Sequence, residues 1–233
     1  MAVKRFYRQV AVEGGASGHG VTLDSRAVRT PSKAPLMLPT RALAEAIAAE
    51  WDAQRDEIRP QTMPMMQLAS TAIDRVRPRR DAVIGEIASY GETDLLCYRA
   101  DGPTGLVVRQ ATEWQPMLDW AAGRFEAPLT VTEGVMPVAQ SPGAVAALRA
   151  AVAECDEFVL AALYNITVAS GSLVLALAVR DSALDPDAAC DASQIDEEWQ
   201  AAEWGRDPVA ESRRERARAE ILSAAQFLAL LQR

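Results

Sequence analysis

At 233 residues the chain is long enough to bury its own core without disulfides or a metal, and it falls between one large domain and two ordinary ones. Its 49% hydrophobic and 24% charged residues are globular composition and exclude wholesale disorder. With 24 basic against 32 acidic side chains the net charge is −8, which repels phosphate backbones and anionic lipid, so nucleic acid is not an expected partner.

The chain opens directly on strand-like alternation, with Phe6, Arg8, Val10 and Val12 set against Tyr7, Gln9 and Ala11. Neither an apolar signal core nor an Arg/Ser-rich leader is seen there, and the expected location is the cytoplasm. Gly14, Gly15, Gly18 and Gly20 read as a flexible connection. Val21 and Leu23 then lead through Asp24-Ser25-Arg26 to Val28 and Thr30 on a returning strand, which makes a hairpin meander. Thr40 is a good N-cap for a helix whose apolar stripe, Leu43, Ala44, Ile47, Ala48 and Trp51, suits it to cover that sheet. Pro60 and Pro64 break the chain, and Leu68, Ala69, Ala72, Ile73 and Val76 mark a short helix ending before Pro78. A domain boundary is placed there, giving an N-terminal sheet domain over 1–78 and a C-terminal helical domain over 79–233.

From Asp81 onward the pattern is helical, punctuated by Gly102-Pro103, Pro128, Pro137, Ser141-Pro142, Asp185-Pro186 and Asp207-Pro208. Leu129 to Glu133 alternates like a strand, and the residues leave open whether it returns to the sheet or connects helices. Phe158 to Val179 carries no charge over nearly the ~20 residues a membrane span needs. Its mid-segment Tyr164, Asn165, Thr167, Ser170, Gly171 and Ser172 favour a buried central helix, because a protein interior can pair polar groups that hydrocarbon cannot. The last helix, from about Val209 to Gln232, turns Ile221, Leu222, Ala225, Leu228 and Leu231 inward. Its Arg213, Arg214, Arg216 and Arg218 are interleaved with glutamates, which reads as a solvated face supported by pairs along the helix.

Catalytic chemistry is poorly represented. The single histidine, His19, stands in a Gly-rich turn with no G-x-S-x-G elbow anywhere, so it reads as a solvated loop residue. Cys97 sits in the apolar run Leu95-Leu96-Cys97-Tyr98 and reads as a structural thiol. The three cysteines form no C-x-x-C pair, Gly18-His19-Gly20 lacks the rest of a phosphate loop, and Asp185-Pro186-Asp187 lacks the glycine and closing glutamate of a calcium loop. No metal site is expected and an enzyme is the weaker reading, although a hydrolase using paired carboxylates remains an alternative on residues alone, as does a scaffold for another protein. The unusual stretch is Ile195-Asp196-Glu197-Glu198-Trp199-Gln200 followed by Glu203-Trp204-Gly205. Trp199 and Glu203 share a helical face beside Glu198, an aromatic anchor flanked by charge. By itself this chemistry favours tryptophans packing the core with acids on the outer face.

Several ordered motifs carry a resemblance. RFYRQVAVE, VTLDSRAVRTP, LPTRALAEAIAAEWDAQ, MPMMQLASTAIDRV, YGETDLLCYRA, SGSLVLALA and DEEWQAAEWG together resemble the ATP-twelve family of assembly chaperones over nearly the full length. The resemblance implies an α+β fold, with a small N-terminal antiparallel sheet domain and covering helix followed by a larger all-helical domain. It also implies no enzyme activity, no cofactor and no membrane insertion. The implied partner is the alpha subunit of the F-type ATP synthase head, held until the beta subunit takes over. Its partner-binding importance carries to Glu197, Glu198, Trp199 and Gln200, with Glu203 on the same helix, and to Trp51, whose place on an apolar stripe also suits core packing. Ser70 departs from the family pattern, which has asparagine there, and the missing mitochondrial leader implies a bacterial member.

Overall fold

The computed structural model describes residues 3–15, 18–134 and 136–232. The chain divides into two units. The first comprises Met1–Arg80, Asp156–Ala162 and Gln226–Arg233. Here β1 (Val3–Lys4) pairs antiparallel with β5 (Glu57–Ile58), while β2 (Val10–Gly15), β3 (Gly18–Leu23) and β4 (Arg26–Ala27) form an antiparallel meander. Thr40 accepts from the Leu43 N–H and caps α1 (Arg41–Asp52), which lies on β2 and β3 with Leu43, Ala44 and Ile47 fully buried. Burying each of the larger two is worth about 1.5–3 kcal/mol.

The expected alternation around Phe6 takes the opposite sense. Phe6 is exposed and Tyr7 buried, because the Tyr7 hydroxyl donates to the Trp51 carbonyl at 2.6 Å and its ring meets the Trp51 ring edge-on. The glycine-rich stretch is also more ordered than a flexible connection: Gly14 and Gly15 pair with His19 and Gly18 inside the hairpin. Gly18 has φ +128°, and a Cβ there would lie 2.8 Å from the Leu38 carbonyl oxygen, so close backbone approach explains it. His19 is accordingly a half-buried strand residue whose Nδ1 is buried with no hydrogen-bond partner among the described residues, and not a solvated loop residue. Beyond Pro64, α2 (Pro64–Thr71) runs on through a π-turn, Ala72–Val76. The first turn of a later helix and the end of the last one complete this unit, where Phe158 stacks on Phe227 and the Thr40 hydroxyl donates to the Leu230 carbonyl.

The second unit comprises Asp81–Cys155 and Leu163–Ala225. Its elements are α3 (Arg80–Ser89), β6 (Tyr98–Arg99), α4 (Thr104–Phe125), β7 (Thr132–Glu133), α5 (Pro142–Ala153), α6 (Glu157–Ser170), α7 (Leu173–Arg180), α8 (Pro186–Ser193), α9 (Ile195–Trp204) and α10 (Pro208–Leu231), with the ends of α3, α6 and α10 lying in the first unit. The chain is thus α+β, with a small antiparallel sheet region followed by a larger helical one. The ambiguous Leu129–Glu133 stretch supplies β7, which pairs in parallel with β6 instead of the meander.

The uncharged stretch is two helices, not one. It breaks where its polar residues cluster: Gly171 adopts φ +71°, donating to the Thr167 carbonyl, and Ser172 caps α7 by accepting from Leu175. Among the described residues no helix is long and apolar enough to cross a membrane. Asp94 locks this break. Fully buried, its Oδ1 accepts from the Leu96 N–H at 3.1 Å and its Oδ2 from the Val174 N–H at 3.0 Å. Burial outweighs these donors and pushes its carboxyl up to about 6.

Candidate functional site

The acidic-aromatic stretch forms α9, and its side chains divide sharply by environment. Trp199 is partly buried and packs against the core cluster that contains Leu96, Leu106, Trp114 and Val174. A Cβ on Gly105 would come within 2.6 Å of the Trp199 ring, so α4 needs glycine where the indole lies against it. Asp196 accepts from the buried Gln110 amide at 2.6 Å, and that amide's oxygen accepts from the Ala100 N–H. The Trp114 indole N–H donates to the Ala192 carbonyl at 2.8 Å.

Glu198 is committed within the molecule. It pairs with Arg214, whose side chain is only 9% exposed and which also meets Glu211 at 3.2 Å. Arg206 bridges the same two glutamates, and Arg218 pairs with Asp187 and Asp191 of α8. The arginines of α10 thus reach across to α8 and α9. Arg213 and Arg216 are the exposed, solvated ones, while Arg214 is buried, against the expectation of a uniformly wet face. A guanidinium's fork of donors matches two carboxylates at once, and helix-to-helix pairing is invisible to spacing along one helix.

Glu197 is half-buried, whereas Gln200 and Glu203 are exposed. The motif residue left without a role on sequence grounds is Trp204, at 81% the most exposed large apolar side chain among the described residues. It ends α9 just before Gly205, whose φ of +92° stops the helix, and Val209, 77% exposed, follows at the start of α10. Trp204 and Val209 thus stand exposed close together in sequence, with the exposed Glu203 beside them, which makes this end of α9 the candidate contact surface.

Trp51 belongs to the first unit and α9 to the second. It is half-buried, as its apolar stripe leads one to expect, yet it also lines a cleft of about 660 Å³ with Ile58, Met63, Met66, Arg29 and Arg75. Glu50 sets the wall of that cleft by accepting from the Met65 and Met66 N–H groups at 2.7 and 2.8 Å, an anion at the start of α2. Burial raises the Glu50 carboxyl above its usual range in spite of those donors.

The three thiols are free and buried, as the structural reading of Cys97 expects. Cys97, Cys155 and Cys190 are buried, and burial pushes the Cys97 thiol up to about 12 and that of Cys190 to about 11. Among the described residues no group of three or more His, Cys, Asp or Glu side chains is placed to hold a metal ion.

Comparison with known proteins adds to this geometry. Residues 4–122 match the family described as ATP12 chaperone protein. The crystal structure of Atp12 from Paracoccus denitrificans is 45% identical, covers 98% of both chains and superposes with a TM-score of 0.95. An aspartate-to-lysine variant of the same Paracoccus protein gives the same figures of 45%, 98% and 0.95. A protein from Agrobacterium tumefaciens is 39% identical over 98% of this chain and 85% of its own, with a TM-score of 0.91.

Proposed function

Since the chain belongs to the ATP12 chaperone family, we propose that it holds the free alpha subunit of the F-type ATP synthase head until the beta subunit displaces it, and that it transforms no substrate. The single observation carrying the site is Trp204, 81% exposed on an acidic helix whose other aromatic, Trp199, is partly buried against the core. An unpartnered subunit exposes apolar surface that drives non-specific association, and a holder must cover it reversibly. Trp204 supplies the apolar anchor, and Glu203 with Gln200 supplies a polar rim that steers toward basic partner surface. Glu197 borders this surface. Glu198 and Trp199 contribute from behind, one by holding α10 in register and the other by seating α9 on α4.

Release on this reading needs only competition, because a small anchor with a charged rim gives moderate, salt-sensitive binding. Co-expression of the chain with a bacterial alpha subunit tests it. The two should copurify, and added beta subunit should displace the chaperone. Copurification that persists unchanged with excess beta subunit would refute the release step, and no copurification would refute the partner.

A further inference from the structure

The Trp51 cleft is not absorbed by the α9 surface, and its chemistry is of one kind. Its floor is apolar, built from Trp51, Met63 and Met66, and methionine thioethers adapt to varied shapes. The volume of about 660 Å³ falls in the ~300–1,000 Å³ range of ligand sites. Three charged groups line it: Arg29, Arg75 and Asp74. The Asp74 carboxylate is already occupied, accepting from the Thr30 hydroxyl at 2.7 Å and from the Ser32 N–H at 3.0 Å. The Trp51 indole N–H is buried and has no acceptor among the described residues. Two guanidiniums against one carboxylate leave the lining net positive around an apolar floor, and Arg29, which donates one N–H to the Lys33 carbonyl at 2.9 Å, has others left for a ligand.

We propose that this cleft binds a short extended peptide segment carrying an apolar side chain next to a carboxylate. The apolar side chain lies on Met63 and Met66 against the exposed part of the Trp51 ring, and the carboxylate meets Arg29 and Arg75. The net charge of −8 does not forbid an acidic ligand, because screening over about 8 Å at physiological salt leaves the local guanidiniums in control. The choice of a peptide over a small carboxylate rests on the chaperone reading. It also gives Trp51 a role distinct from the α9 surface, which takes a folded partner's basic rim.

Nitrogen-15 labelling of the tryptophans resolves five indole signals, and Trp51→Phe identifies the one that belongs to the cleft. The full chain is titrated with acetyl-Asp-Leu-Phe-Asp-amide, with acetyl-Lys-Leu-Phe-Lys-amide and with hexanoate. The acidic peptide should move the Trp51 indole signal in a saturable, salt-weakened way. The double variant Arg29→Glu/Arg75→Glu should lose at least tenfold in affinity while its other four indole signals stay in place. Equal binding of the lysine peptide, no response to either peptide, or saturation by hexanoate without response to the peptide would each overturn the proposal. Alpha-subunit capture is measured on the unaltered chain: absence of peptide binding with capture intact removes the cleft alone, and absence of capture with peptide binding intact removes the alpha subunit alone.

Discussion

Replacing Asp94 with asparagine keeps its shape and deletes its charge, which makes it a sensitive probe of the helical unit. The carboxylate accepts one backbone N–H on each oxygen, from Leu96 and from Val174. An amide keeps one acceptor and points its NH₂ group at the other N–H, leaving buried donors without partners. That costs about 1–3 kcal/mol, less whatever is recovered by no longer burying a charge. The pH dependence is more diagnostic. The folded protein holds the Asp94 proton up to about 6, against 3.8 ordinarily, so this carboxyl is raised and the wild type gains stability as pH falls through that window. Between about pH 7 and about pH 5 the gain is roughly 1 kcal/mol, at ~1.4 kcal/mol per pH unit below the folded-state value. Asparagine does not titrate, so the stability gap between wild type and Asp94→Asn should widen by that amount on acidification. Urea unfolding at both pH values, followed by tryptophan fluorescence, measures it. A gap that stays constant or narrows would refute the claim that burial outweighs the two hydrogen bonds.

Three further outcomes follow from the α9 and α7 geometry. Gly105→Ala places a methyl 2.6 Å from the Trp199 ring and should cost about 1–3 kcal/mol in thermal unfolding; an unchanged Tm would mean that the indole moves freely. Glu198→Lys sets a third cation beside Arg214 and Arg206 and should destabilise by about 1–3 kcal/mol, discounted from a buried pair because Glu198 is 38% exposed. Weakened capture by that variant therefore identifies a contact only if Glu198→Gln, measured beside it, is folded. Gly171→Ala forces a side chain to φ +71° and should cost about 1 kcal/mol; a neutral result would show that the break between α6 and α7 does not need its left-handed residue.

Much of the architecture was legible because it rests on local rules. Thr40 announced α1, the glycines and Asp24-Ser25 announced the meander, and prolines announced the starts of α2, α5, α8 and α10. What escaped depended on tertiary partners. Phe6 and Tyr7 exchanged faces because Tyr7 finds Trp51 far along the chain. The central hydrophobic run divides at Gly171 because Asp94, distant in sequence, supplies acceptors to the new helix start. At the candidate site, spacing placed Trp199 and Glu203 on one helix but could not tell which tryptophan the core would claim. The small residue at Gly105 was the available signal for Trp199, and the helix-ending Gly205 was the signal for Trp204. Arg214 was misread as solvated because its acids lie on another helix as well as its own.

The measurement closest to the central claim is a calorimetric titration of purified alpha subunit with the wild-type chain and with Trp204→Ala. Trp204 is nearly free of the fold, so the variant should match the wild type in circular dichroism and Tm. The wild type should bind with salt-sensitive affinity, and the variant should lose at least ~2 kcal/mol, as an aromatic hot spot does. Absence of binding by the wild type, or equal binding by a folded Trp204→Ala, would contradict the account.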